Sequence, residues 1–187
     1  MDAISFLRED HKMVLAMLDE LERGPAERTP EALAARKRQV TELVMAESAH
    51  EAVEEEYFWP SVQHWLEEGR ALAAPALQQE QDAKHVLQQL EELEPNAPEF
   101  ENLVSRIIRD GRAHIAYEER EVWPIVQDRL ARSELEEVGK KMAGAKKIAP
   151  TRPHPHTPPT PGVLKTGGPA VAAVDKLRDA VTGRGKD

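Results

Sequence analysis

Apolar residues recur along this chain with a helical period and rarely alternate in twos. From residue 3 to 23, Ile4, Leu7, His11, Val14, Leu15, Leu18 and Leu21 mark one face, the spacing of an amphipathic helix. Gly24-Pro25 stops it. Thr29-Pro30-Glu31 reads as the next start, with Thr29 as N-cap, Pro30 in the first turn and an early acid. Leu33, Val40, Leu43, Val44, His50, Glu54 and Phe58 then mark a second face. That helix runs to Trp59-Pro60 and past a kink to about Leu66, since proline cannot complete the bond to the residue four back. The third helix is predicted over about 71–94, with Pro75 as a candidate start and Leu77, His85, Val86, Leu90 and Leu93 in its stripe. Pro95-Asn96-Ala97-Pro98 breaks the pattern. A fourth helix runs from near Pro98 to about Arg132 through Leu103, Ile107, His114, Glu118, Val122 and Ile125. Ser133-Glu134-Leu135-Glu136 reads as a capping box for a short fifth helix ending near Met142.

Short breaks between long amphipathic helices favour antiparallel neighbours. The pattern therefore predicts an all-α fold: an antiparallel up-down four-helix bundle with a short fifth helix and a flexible tail. Aromatic residues make up only 4% of the chain, which argues against sandwiches and barrels. Half of the 14 prolines fall between 150 and 169, as expected of an extended linker. The bundle is thus expected over 1–148. Residues 149–187 read as a proline-rich, low-order tail, with a possible amphipathic helix at 171–182 carrying Val171, Val174, Leu177 and Val181.

Charge narrows the partners. Residues 1–133 carry 15 basic and 28 acidic groups, a net of −13, and residues 134–187 carry 10 and 6, a net of +4. A domain so acidic is a poor partner for nucleic acid. With no cysteine, disulfides, thiolate ligands and a cysteine nucleophile are excluded. The opening MDAISFLREDHK lacks a signal-peptide pattern, and no apolar run is long enough to span a bilayer. No membrane association and a cytoplasmic location are the expectations.

The most informative feature is an internal repeat. HEAVEEEYFWPSVQHWL begins at His50 and HIAYEEREVWPIVQDRL at His114, 64 residues on. His50/His114, Glu54/Glu118, Glu55/Glu119, Trp59/Trp123 and Pro60/Pro124 coincide. Two related hairpins give a bundle a pseudo-twofold axis, which would set the two His-x-x-x-Glu pairs across the core from each other. Residues four apart share a helix face, so each pair can reach one ion or two adjacent ions. Two carboxylates at matched depth in a core would repel strongly unless cations neutralise them. His11 and His85 lie on or near the stripes of the other two helices. The candidate ligand set is His11, His50, Glu54, His85, His114 and Glu118. Imidazole and carboxylate together suit iron, manganese or zinc. Glu55 and Glu119 recur in both copies and are candidates for outer contacts. Their ordinary alternative is a solvated helix face. Glu47 is a candidate orienter of His50, and Tyr117 a candidate donor near the site.

On these residues the chain resembles the hemerythrin-like, or HHE cation-binding, family over about residues 1–132. The resemblance implies two iron ions with an oxo or hydroxo bridge, with dioxygen or peroxide as the small-molecule ligand. It also implies roles in oxygen binding, redox sensing, iron handling or peroxide removal. One departure stands out. Oxygen-carrying members place a histidine pair on the third helix, whereas here Gln81 stands one turn before His85, with Asp82 beside it. The second motif places Glu118 four residues after its histidine and Glu119 five after, where oxygen carriers use an aspartate. A shell with fewer histidines and more carboxylate favours the ferric state. That shifts the expectation from reversible carriage towards redox sensing or peroxide chemistry. A metal-stabilised interaction module, recruiting a protein partner through the tail, is the further alternative.

Overall fold

The computed structural model describes residues 1–25, 27–156 and 168–182. The chain is all-helical, and no strand occurs among the described residues. Helix α1 spans Ala3–Glu22, α2 Pro30–Val53, α3 Trp59–Trp65, α4 Gly69–Glu92, α5 Phe100–Tyr117, α6 Trp123–Arg129, α7 Arg132–Lys146 and α8 Gly168–Thr182. Two π-helical turns, Glu54–Phe58 and Glu118–Val122, join α2 to α3 and α5 to α6, so each pair is one continuous rod. Helix α1 packs against α2 and α5, and α4 packs against α2, α3 and α5. The four rods close a ring around a shared interior.

Local chemistry explains the starts. Asp2 caps α1, accepting from the Ser5 N–H at 2.9 Å and the Ser5 hydroxyl at 2.8 Å. Thr29 caps α2 as expected, its hydroxyl oxygen accepting from the Ala32 N–H at 3.2 Å. The kink expected at Trp59-Pro60 takes the form of the π turn before it. There the Trp59 N–H bonds the Glu54 carbonyl, five residues back, and Trp123 does the same with Glu118. A proline ring collides with the carbonyl four residues before it. Widening the preceding turn by one residue relieves that collision without breaking the rod, a distortion common at functional sites. Both copies of the repeat use it, and the glutamate of each pair opens the wide turn.

Helix α4 starts at Gly69, and Pro75 lies inside it rather than at its head. Pro75 and Ala71, whose carbonyl loses a donor to it, are both exposed, so water can serve that group. Gly69 is required by a close approach: a Cβ there would sit 2.1 Å from the Val62 carbonyl oxygen and 2.8 Å from the Gln63 Cα. Because these are backbone atoms, Gly69→Ala must open the α3–α4 corner. The expected loss is about 2 kcal/mol, read as a fall of roughly 4–8 °C in the melting temperature at fixed metal loading.

Helix α7 is longer than the sequence pattern suggests. It begins at Arg132, with the Ala131 N–H donating to the Glu134 carboxylate at 2.8 Å. Glu134, not Ser133, thus closes the helix start. Helix α7 packs on α1, α2 and the first π turn. Beyond it, Gln81 donates to the Pro155 carbonyl at 2.7 Å, and Arg152 pairs with Glu91 of α4 and Asp179 of α8. The expected amphipathic segment falls within α8. Of the linker expected over 150–169, residues 157–167 lie outside the described residues.

The interior has two apolar clusters. One gathers Ile4, Leu7, Phe58, Trp59, Val62, Ala76, Trp123 and Val126, and the other Val14, Leu18, Leu43, Val44, Leu87, Leu90, Val104 and Ile107. Each of the four rods passes from one cluster to the other through a polar position: His11 in α1, His50 and Glu54 in the second rod, Glu80 in α4, His114 and Glu118 in the fourth. A polar layer is thereby sealed between two apolar ones.

Candidate metal centre

That layer holds two overlapping groups of side chains. The ligand atoms of His11, His50, Glu54 and Glu118 all lie within 4.8 Å of one another, and so do those of Glu54, Glu80, His114 and Glu118. Glu54 and Glu118 belong to both. His11 Nε2 is 3.1 Å from Glu118 Oε2, His50 Nε2 is 3.2 Å from Glu54 Oε2, and His114 Nε2 is 3.5 Å from Glu118 Oε1. These are separations between neighbouring ligands of one cation whose bonds are about 2.0–2.2 Å long. Five residues are almost wholly enclosed. The sixth, His114, keeps 12% of its side chain exposed, although its Nε2 is buried.

The inward atoms have no hydrogen-bond partner. This holds for Nε2 of His11, His50 and His114, for both carboxylate oxygens of Glu54 and Glu118, and for Oε2 of Glu80. Buried polar atoms without partners are costly, and here they converge on one space. Three imidazole nitrogens and three carboxylates are the donor chemistry of iron, manganese or zinc, so the residues present fit a pair of such cations.

The outward nitrogens are tied down. His11 Nδ1 meets Glu119 Oε1 at 3.1 Å, His50 Nδ1 meets Asp10 Oδ2 at 3.3 Å, and His114 Nδ1 meets Gln79 Oε1 at 3.1 Å. An acceptor on Nδ1 fixes the tautomer that presents Nε2 as a lone pair. Asp10→Ala is expected to weaken metal binding by about 10- to 100-fold, measured by competition with a chromophoric chelator.

Burial pushes the Glu54 and Glu80 carboxyl groups well above the usual range, and neighbouring carboxylates add to it. Burial alone would also raise Glu118, but the imidazoles of His114, His11 and His50 outweigh it and hold Glu118 low. Burial lowers His50 to about 4 and lowers His114. His11 is raised, because Glu118 and Glu119 overcome its burial. The set offers His50 and His114 as imidazoles that burial keeps neutral, beside carboxylates that resist ionising together, a conflict that cations relieve.

Of the six residues expected from sequence, the structure brings together His11, His50, Glu54, His114 and Glu118. His85 is corrected: it is exposed, lies outside both groups, and contacts Gln81 and the His156 ring. Glu80 takes the inward place on α4, its Oε1 accepting from the Trp59 indole N–H. The reason is register. The buried face of α4 runs through Ala73, Ala76, Glu80, Lys84, Leu87 and Leu90, and its alanines gave no strong apolar signal. Neither Gln81, bonded to Pro155, nor exposed Asp82, bonded to Gln78, stands in for a histidine. Asp10 and Gln79 were also missed, since only the fold brings them to His50 and His114. Glu119 does make the outer contact its repetition suggested, while Glu55 pairs with Lys84. The Tyr117 hydroxyl donates to the Leu72 carbonyl rather than into the site. Trp123 stacks on His11, ring centroids 4.8 Å apart, so the two tryptophans of the repeat wall the polar layer.

A family model described as the hemerythrin HHE cation-binding domain matches residues 2–126. A hemerythrin-like protein of Schizosaccharomyces pombe is 28% identical over 131 residues, covering 70% of this chain and 64% of that protein. The chain therefore spans a little under two thirds of that relative's length. The crystal structure of a hemerythrin HHE cation-binding domain-containing protein from Mycobacterium kansasii shares the fold, with a TM-score of 0.66 over 94% of this chain and 99% of that one at 21% identity. The matched residues make up most of the chain and contain both histidine–glutamate pairs and their partners on α1 and α4, and on that ground this chain belongs to the hemerythrin HHE cation-binding family.

Proposed function

We propose that the chain holds two iron ions on His11, His50, His114, Glu54, Glu80 and Glu118, and that it binds or senses dioxygen or redox state there. The observation that carries this reading is the pair of ligand groups sharing Glu54 and Glu118. One group would hold one ion and the other a second, with the shared carboxylates between them. Two adjacent irons supply one-electron redox chemistry and positions for a small ligand.

The chain's own residues shape that chemistry. The apolar clusters on both sides exclude water from the layer. The Trp59 indole fixes one oxygen of Glu80 and leaves the other for the site. Glu119 and Asp10 make His11 and His50 stronger donors, while the neutral amide of Gln79 leaves His114 a weaker one. The two ions would thus be inequivalent.

Metal analysis of the purified full chain, with absorption spectra of anaerobic and aerated samples, tests this. About two irons per chain and a charge-transfer band that responds reversibly to reductant and air are expected. A colourless protein holding one zinc would overturn it. Glu80 gives the third helix an inward carboxylate in place of the histidine expected there, and favours a second reading in which the same centre decomposes peroxide. Oxygen evolution on adding peroxide to the iron form would select that reading. Among the described residues no helix is long and apolar enough to cross a membrane.

A further inference from the structure

The family match ends at residue 126, yet α7 beyond it reaches the site. Helix α7 lies against α1, α2 and the first π turn. Its seat is tight: a Cβ at Gly139 would come within 2.6 Å of the Met1 carbonyl oxygen, so the helix backbone rests directly on the start of α1. Seated there, α7 ends with Lys146 Nζ donating to Asp10 Oδ2 at 2.6 Å. The same oxygen faces His50 Nδ1 at 3.3 Å, and His50 Nε2 faces Glu54 at 3.2 Å. A chain of contacts thus runs from a partly buried lysine to the shared carboxylate.

We propose that Lys146 is a positioning residue of the metal centre: by holding Asp10, it sets the orientation and donor strength of His50. Neither of the other two histidines has this arrangement. Glu119, behind His11, is 38% exposed, and Gln79, behind His114, is neutral. The Lys146–Asp10 pair is largely enclosed, with 21% and 13% of the two side chains exposed. Lys146 draws electron density from the oxygen that His50 addresses, so its loss strengthens the Asp10–His50 bond. A stronger bond makes the imidazole a better donor and favours the more highly charged metal state.

This inference rests on the reading of the site as an iron centre, and spectroelectrochemical titration of the iron-loaded full chain separates the two. Lys146→Met is expected to favour the ferric form about tenfold, a downward shift of about 59 mV for one electron. Lys146→Arg is expected to restore the wild-type potential. Lys141→Met, on an exposed lysine of the same helix paired with Glu137, is expected to leave it unchanged. In an Asp10→Asn background the effect of Lys146→Met is expected to collapse, which a merely structural role for α7 would not produce. An unchanged potential in Lys146→Met overturns the inference, and so does an equal shift with Asp10 replaced. A wild-type chain with no reversible iron response overturns the iron reading and this inference with it.

Discussion

Glu118→Ala is expected to take bound metal from two ions per chain to almost none, whereas His114→Ala is expected to leave one. Glu118 belongs to both ligand groups, its two oxygens facing His11 and His114 at 3.1 and 3.5 Å. Its loss removes an anionic donor from each ion and lets two imidazoles turn away. His114 belongs to one group, so its loss leaves His11, His50, Glu54 and Glu118 around the other ion. Glu80→Ala should behave like His114→Ala for the same reason. The prediction is sharp because sequence alone ranks His50/Glu54 and His114/Glu118 as equal pairs. Metal analysis of the three variants decides it, with helical circular dichroism confirming that each is folded. Equal loss from all three would mean a single ion, not two. Removing Glu118 also removes its repulsion of Glu54 in the metal-free chain, which offsets part of what its contacts with the three imidazoles contribute.

What the sequence revealed and what it hid follow from where each signal lies. The helical period exposed every rod, since residues on one helix face repeat along the chain itself. The repeat exposed His50/Glu54 and His114/Glu118, because duplication turned a weak motif into a matched pair. His11 was legible from its place between Leu7 and Val14 on one stripe. The third helix failed at the site because its buried face is built from alanine, glutamate and lysine. Burial by small or charged residues has no apolar signature, so the brighter stripe through His85 drew the register. Glu80 is inward because its neighbours on α2, α3 and α5 surround it, and that is a fact of packing. Asp10, Gln79 and Lys146 are harder still. Their roles arise from contacts 35 to 136 residues apart in the chain, which no local pattern encodes.

Stripping the metal is expected to lower the melting temperature by about 10 °C or more, and by more at high pH than near neutrality. A ligand present at about a thousand times its dissociation constant stabilises by roughly 4 kcal/mol, and a chain of this size loses about 2–4 °C per kcal/mol. The pH trend has a definite sign. In the metal-free chain, Glu54 and Glu80 have carboxyl groups raised well above their ordinary range by burial, and burial raises Glu47 to about 7. His11 is raised as well. Where a group's folded value exceeds its unfolded one, the folded chain holds the extra proton and loses stability as pH rises. Below about pH 6.5 the lowered His50 and His114 act in the opposite sense, since an unfolded chain would protonate them. Above that point they are neutral in both states, and the raised groups act alone. Stability of the metal-free chain therefore falls from about pH 6.5 upward. Metal binding runs the other way, because each ligand must shed its proton to bind. The gap between loaded and stripped melting temperatures should widen between about pH 6.5 and 8.5. Parallel melting temperatures across that range would show that the cation binds somewhere other than on these buried carboxylates.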